Sequence, residues 1–182
     1  MNYNIIYCDP PWDYKGQTQV GTAGPSGSAI EHYPTMTLAQ LKELKVKEMY
    51  AKDCLLFMWS SGPHLDQAIE LGKHWGFDYK QIAFMWDKVR GNPGFYTYTQ
   101  CEPVLVFKLK GSKIPERSDD SRKTKQLFVE KKREHSRKPD GIRDNIAAMY
   151  PLAKRLEMFA RTTVDGWDVM GNETDKFDKD IL

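Results

Sequence analysis

The chain has 182 residues, of which 40% are hydrophobic and 29% are charged, with 27 Lys and Arg against 25 Asp and Glu. This composition excludes a globally disordered protein, and the length predicts one domain spanning residues 1–182. No apolar run approaches the roughly 18 residues of a membrane-spanning helix, which excludes a membrane protein. The three cysteines form no CxxC pair and the N-terminal sequence has no basic leader, so we expect a cytoplasmic protein without disulfides or zinc.

Short apolar runs alternate with helical patterns along the chain. The apolar runs predict strands at Tyr3–Cys8, Cys54–Trp59, Gln81–Trp86, Pro103–Leu109, Leu156–Ala160 and Trp167–Met170. Helical patterns follow a capping box at Thr37, begin again near Pro63, and follow Pro139. This alternation predicts an α/β fold with an open sheet. Ligands of such sheets bind beyond the carboxyl ends of the strands, so the residues after each strand are functional candidates.

Two polar stretches interrupt the alternation. Residues 16–28 hold four glycines and a proline, which predicts a flexible loop at about 15–30 that covers an active site. Residues 108–138 hold twelve Lys and Arg against five Asp and Glu, a net charge of +7 that leaves −5 for the rest of the chain. We expect a basic loop at about 110–138, and a solvated surface and a phosphate-binding surface are equally consistent with it.

The first predicted strand ends at the tetrapeptide Asp9-Pro-Pro-Trp12. The two prolines have no backbone N–H, so the turn offers the Asp9 carboxylate and the Pro10 carbonyl as acceptors, with Trp12 as an aromatic surface. The exocyclic amine of adenine has two hydrogens on a heteroaromatic ring and matches these groups. Acceptors for both hydrogens would free the nitrogen lone pair for attack. A rigid structural turn is equally consistent with the tetrapeptide alone.

The chain resembles the DPPW-bearing adenine methyltransferases of the MT-A type, which include the messenger-RNA adenosine methyltransferase and small bacterial and phage DNA enzymes. The resemblance extends from Tyr7 to about Glu173 and depends on several motifs in order. These are Asp9-Pro-Pro-Trp12, Tyr33-Pro-Thr-Met36, Leu56-Phe-Met-Trp59, Trp86-Asp-Lys88, Glu102, Lys110-Gly111, His135-Ser-Arg-Lys-Pro139, Glu157-Met-Phe-Ala-Arg161, Gly166-Trp167 and Gly171-Asn-Glu173. It implies a Rossmann-like methyltransferase fold, with a mostly parallel sheet covered by helices on both faces. It also implies the β-type order of motifs, S-adenosylmethionine as the methyl donor, and the amine at position six of adenine as the acceptor.

The resemblance also implies roles for individual residues. The expected catalytic residues are Asp9, Pro10, Pro11 and Trp12. The expected cofactor-binding residues are Asp9, Lys138, Glu157, Phe159, Arg161, Asn172 and Glu173, the last standing where the family has a glutamine. Residues expected on the substrate side are Trp12, Tyr33, Trp59 and Glu102.

Two further expectations come from charge. Glu157 lies in an apolar run, where a carboxylate is costly without a partner, so we expect it to meet a ligand or to pair with Arg155 or Arg161. The basic segment is expected to hold a phosphate backbone near the pocket through Lys110, Lys113, Arg122, Lys123 and Lys125. No metal is expected, because the histidines lack the spacing of metal ligands.

These observations predict an S-adenosylmethionine-dependent methyltransferase that acts on adenine in double- or single-stranded DNA of a bacterial or phage-infected cell, with short or no sequence specificity. The base must leave a duplex stack to reach the pocket. RNA as the substrate, and a non-catalytic nucleic-acid-binding subunit on the same fold, are the alternatives. A homodimer and a partner subunit are both compatible with the sequence, and protection of DNA against restriction is suggested only by analogy.

Overall fold

The computed structural model describes residues 2–13, 35–94, 96–133 and 137–171. The loop predicted at about 15–30 lies outside the described residues, as do Tyr33, Asn172 and Glu173. Within the described ranges the elements in chain order are β1 Tyr3–Cys8, α1 Leu38–Glu43, β2 Tyr50–Trp59, α2 Leu65–His74, β3 Phe77–Pro93, β4 Tyr98–Leu109, β5 Leu127–Val129, α3 Asp140–Met149, β6 Arg155–Met158 and β7 Asp168–Met170. Short 3₁₀ turns occur at Val46–Glu48, Gly62–His64 and Asp119–Lys123.

The strands form one sheet in the order β5-β3-β4-β2-β1-β6-β7. β1 pairs in parallel with β2 and β6, β6 with β7, and β3 with β5. β4 is antiparallel to both β2 and β3. The predicted α/β class with a mostly parallel sheet is therefore confirmed.

Helices cover both faces of the sheet, as expected. On β1, Ile6 and Cys8 point to a core that includes Leu41 of α1 and Leu71 of α2. Ile5 and Tyr7 point to the opposite face, where they pack in a second core with Ile142 and Ile146 of α3. Both faces of β1 are buried, which explains why its sequence is a continuous apolar run rather than an alternating one.

Strand order reverses at β1. The chain passes from β1 to its neighbour β2 on one side and later returns to β6 on the other side. The helices that precede β2 and β6 lie on opposite faces, so they leave a crevice beyond the carboxyl ends of β1 and β6. Asp9 directly follows β1 and lies at this crevice.

The bounds of several strands differ from those expected, and β2 begins at Tyr50 rather than at Cys54. β3 and β4 are longer than predicted, because polar residues 87–93 continue the backbone pairing without an apolar pattern. β5 lies within the segment predicted as a basic loop. It is a three-residue edge strand, held by backbone pairing with β3, and two of its side chains are exposed. β6 ends at Met158 rather than Ala160, because Phe159 has a φ of 60°.

Among the described residues, the helices are all too short or too polar to cross a membrane.

The contact between α2 and β4 gives a stability prediction. A Cβ added at Gly72 would lie 2.4 Å from the Phe107 ring, which is fully buried. We expect Gly72→Ala to lower the free energy of unfolding by about 2 kcal/mol, since overpacking exceeds the gain in helix propensity. Phe107→Leu shortens the opposing side chain, so Gly72→Ala should cost nothing in that background. Urea unfolding of the wild type, the two single variants and the double variant measures the coupling between the two substitutions. Additive changes in the free energy of unfolding would show that the Gly72–Phe107 contact is not the cause.

Candidate active site

The turn after β1 is fixed by backbone hydrogen bonds. The Trp12 N–H donates to the Pro10 carbonyl at 2.8 Å, and the Met36 N–H donates to the Pro11 carbonyl at 2.7 Å. The Pro10 oxygen has a second lone pair, so it can still accept a bond from a ligand. The Asp9 side chain is 30% exposed at the mouth of the crevice. This geometry leaves the carboxylate accessible while the turn that carries it is held in place.

Lys138 connects Asp9 to a second carboxylate. Its Nζ lies 2.9 Å from Asp9 Oδ2 and 3.5 Å from Glu102 Oε2, and it lies over the Trp59 ring at 5.4 Å from the centroid. Glu102 also accepts a hydrogen bond from Lys88 Nζ at 3.1 Å. The structure thus brings together Asp9, Trp59, Glu102 and Lys138 from the predicted site, and it adds Lys88.

The charge of Glu102 is set by opposing effects. Burial raises the pKa of Glu102, but the neighbouring Lys138 and Lys88 ammonium groups outweigh burial and lower that pKa below its ordinary value. Glu102 is therefore ionised at neutral pH. It holds two lysines at the edge of the sheet where β1 ends at Asp9, which we call the catalytic edge.

Glu157 on β6 pairs with a residue that the sequence did not indicate. Its Oε2 accepts a hydrogen bond from Arg143 Nη1 at 3.1 Å, and Arg143 Nη2 donates to Asp140 Oδ1 at 3.3 Å. Burial raises the pKa of Glu157, while the Arg143 charge opposes the rise. The expected pairing with Arg155 is wrong, since that side chain donates instead to the carbonyls of Gly166, Tyr150 and Pro151. Only the tertiary packing of α3 on β6 reveals the Arg143 pair.

A cleft joins the two charged groups. It is lined by Tyr7, Asp9, Trp59, Arg137, Lys138, Pro139, Asp140, Arg143, Glu157, Phe159, Arg161 and Thr162. Five of these residues were predicted to bind a cofactor. Arg143 lines the cleft, and its Nε is buried with no hydrogen-bond partner among the described residues. Carboxylates, cations and an aromatic ring together match a ligand that has an amino acid part, hydroxyl groups and a base.

Trp12 does not present an open face to this cleft. The residue is 5% exposed, and His64 stacks on its indole ring at 5.6 Å between centroids, with 14° between the ring planes. Trp12 packs in the core under α1 and α2. Trp12 thus packs beneath the turn after Asp9, and the expectation that it stacks on the target base stays a prediction. The contact with His64 could not be predicted from the sequence, because the two residues are distant in the chain.

The basic segment reaches the catalytic edge only at its end. β4 runs antiparallel to β2, so Lys110 and Lys113 lie at the opposite edge of the sheet, where the Lys113 N–H donates to Asp53. Arg122 and Lys123 are in a 3₁₀ turn beside the last turn of α3, and Lys125 precedes β5. Lys110 and Lys113 therefore lie away from Asp9, and the phosphate contacts expected of the five residues stay a prediction. Cations do stand at the catalytic edge from residue 131 onward, after β5.

Comparison with known proteins matches the MT-A70 family model to residues 3–173. The type II methyltransferase M.MunI of Mycoplasma sp is 43% identical over 94% of this chain and 77% of its own length. A probable N(6)-adenosine-methyltransferase MT-A70-like of Oryza sativa subsp. japonica is 28% identical, and the N6-methyladenosine RNA methyltransferase MTA1 of Pyricularia oryzae is 26% identical. The matches cover 94% of this chain in both cases, but only 23% and 47% of those two proteins.

The Arg143–Glu157 pair gives a second stability prediction. Arg143→Met leaves a buried carboxylate without its partner, so the free energy of unfolding should fall by about 3 kcal/mol at pH 7. The double variant Arg143→Met/Glu157→Gln removes the unpaired charge and should recover part of that loss. Urea unfolding measures both effects. Equal stability of the single and double variants would show that the pair does not hold the two side chains together.

The lowered pKa of Glu102 gives a pH dependence with a definite sign. The folded state binds its proton less tightly than the unfolded state, so the stabilisation is present above the unfolded pKa of about 4.3 and is lost as the pH falls through the folded pKa. Lys88→Met should cost about 2 kcal/mol at pH 7, and the difference from the wild type should shrink below about pH 4. The control is Lys80→Met, at an exposed lysine of the same strand. A loss independent of pH would contradict the assignment.

Proposed function

Because this chain belongs to the MT-A70 family, it is an adenine methyltransferase, and we propose that its reaction takes place in the cleft beside Asp9, with S-adenosylmethionine as donor and adenine in DNA as acceptor. The observation that carries the proposal is the Asp9–Lys138 ion pair at the point where strand order reverses. It stands at the place where open α/β sheets bind their ligands, and it opens into a cleft with a matching donor set.

The residues of the cleft fit S-adenosylmethionine. When bound, this cofactor supplies an electrophilic methyl group on a positively charged sulfur. The Asp9 carboxylate suits the ammonium group of its amino acid part, and Lys138 suits the carboxylate. Glu157 can accept hydrogen bonds from ribose hydroxyls, and Phe159 offers an apolar surface to the base. Arg161 lines the same cleft. We propose that Asn172 and Glu173 complete the ribose site, as the family motif implies.

Asp9 acts on the target amine as an acceptor. Its carboxylate and the second lone pair of the Pro10 carbonyl can each take one hydrogen of the amine, which favours a tetrahedral nitrogen with an available lone pair. The nitrogen loses a proton as it gains the methyl group, and we propose the Asp9 carboxylate as the acceptor of that proton. Lys138, which also pairs with Glu102, holds the Asp9 carboxylate in place. Trp59, fixed by the bond from its Nε1 to Tyr7 at 2.6 Å, supports the lysine.

DNA is the proposed substrate, because the M.MunI relative is named as a type II methyltransferase and covers most of the chain. We infer a role in restriction–modification on the same ground. RNA is the alternative, since a relative of lower identity is named as an RNA methyltransferase. The target base must leave its stack to reach Asp9, and the lysines after β5 can bind the phosphates beside it. Tyr33 is proposed to contact the base from the segment after the DPPW turn.

Transfer of labelled methyl groups tests the proposal. The wild type should produce N6-methyldeoxyadenosine from genomic DNA, and Asp9→Asn should lower the rate at least about 100-fold because the amine loses its charged acceptor. The matched control is Asp78→Asn, at a surface aspartate on the opposite edge of the sheet. Matched double-stranded DNA, single-stranded DNA and RNA are compared, with the nucleoside identified. Product from RNA alone would contradict the substrate, and unchanged transfer in Asp9→Asn would contradict the site.

A further inference from the structure

The hairpin formed by β3 and β4 extends past the catalytic edge of the sheet. Trp86 pairs with Glu102 at the level of the cleft, and the pairing continues beyond them to Pro93 and Tyr98. The shorter arm, from Cys101 to Tyr98, rises by about 10 Å at 3.4 Å per residue. The hairpin tip thus stands beside the mouth of the cleft, where a substrate larger than one base would meet it.

Local interactions give this hairpin a defined shape. The Asp87 carboxylate accepts hydrogen bonds from Gln100 Nε2 at 2.6 Å and from the Val89 N–H at 2.7 Å, and these bonds lower the pKa of Asp87. Val89 has a φ of 65° within the bulge. The two arms approach so closely at Gly91 that an added Cβ would lie 2.3 Å from the Thr99 carbonyl oxygen. Such specific bulges bend a strand and re-aim its side chains.

The side chains presented by the hairpin are aromatic and basic. Tyr96 is 99% exposed and Tyr98 is 59% exposed, while Arg90 is also exposed. The sequence of residues 88–100 contains no Asp or Glu. β5 lies next to β3 and leads into exposed Lys131 and Lys132, after the Glu130 N–H donates to the Asp87 carbonyl at 3.1 Å. Single exposed apolar residues are common on protein surfaces, but two exposed aromatic side chains grouped with several cations indicate an interaction surface.

We propose that the hairpin tip, defined by Arg90, Tyr96 and Tyr98, is a DNA-contact surface that acts together with the adjoining Lys131 and Lys132. The tyrosine rings stack on bases beside the target adenine, and the cations contact phosphates. Bases present apolar π-faces next to a negative backbone, and the aromatic and basic composition of the tip complements both. An acidic protein surface would complement only the cations of the tip, and an apolar protein surface would complement only its tyrosines. This inference rests on the proposed function, and it assigns the substrate a second point of attachment outside the cleft.

The test separates stacking from charge. Affinity for a labelled mixed-sequence DNA duplex is measured by fluorescence anisotropy between about 50 and 200 mM salt. The variant Tyr96→Ala/Tyr98→Ala should bind at least about fivefold more weakly, with the salt dependence unchanged. Arg90→Ala should also bind more weakly, and its salt slope should fall by about one unit. The control is Leu152→Ala, which removes an exposed side chain 76% accessible just after α3 and should bind like the wild type.

Two further readouts make the result decisive. Affinity for S-adenosylmethionine should be unchanged in every variant, while the KM for genomic DNA in methyl transfer should rise in parallel with the Kd. Anisotropy does not require turnover, so a wild type that binds DNA but transfers no methyl group would overturn the proposed function and still test the hairpin. Wild-type affinity in the tyrosine variant would overturn the inference. Light scattering measures the oligomeric state. If the wild type is a dimer that dissociates in the tyrosine variant while DNA affinity is unchanged, the hairpin is a protein interface and the inference is overturned.

Discussion

The position of the Lys138 ammonium group organises the site. It lies between the Asp9 and Glu102 carboxylates and over the Trp59 ring, so it joins β1, β4 and β2 at one edge of the sheet. Its own backbone is fixed, because Arg133 donates from Nη2 to the Lys138 carbonyl and from Nη1 to Asp140 Oδ2. The end of the basic segment is therefore a folded part of the site. Without this cation, Asp9 would lose this ion pair and Glu102 would keep only its pair with Lys88.

A second charged group lies on the other side of the cleft and is built on the same principle. Glu157 is buried on β6 and is balanced by Arg143, which Asp140 holds from the first turn of α3. Each carboxylate that lines the cleft is thus paired with a cation from residues 138–143. We propose that a zwitterionic ligand exchanges some of these contacts for its own, because its ammonium and carboxylate groups have the same chemistry as the pairs already present. These protein charges are already partly desolvated and oriented in the folded state, so ligand binding requires less further desolvation.

The sequence predicted the features that depend on local pattern. Buried strands such as β1 are continuous apolar runs in the sequence. The capping box predicted at Thr37 is present, and the Thr37 hydroxyl accepts a hydrogen bond from the Gln40 N–H. The MT-A resemblance is confirmed by the family match. The sequence did not reveal the short edge strand β5 or the partner of Glu157, because both depend on contacts between distant segments. It also placed Lys110 and Lys113 beside Asp9, since charge density along a chain carries no information about the direction of β4. Trp12 shows the same limit, because its burial against His64 follows from packing and not from the motif.

We propose that Lys138 both positions Asp9 and binds the amino acid part of the cofactor. Isothermal titration calorimetry of Lys138→Met tests it most directly, with S-adenosylmethionine and 5′-methylthioadenosine as ligands, because the second ligand lacks the amino acid part. We expect at least a tenfold loss of affinity, about 1.4 kcal/mol, for S-adenosylmethionine and an unchanged affinity for 5′-methylthioadenosine. Equal losses for the two ligands, or no loss for either, would contradict it.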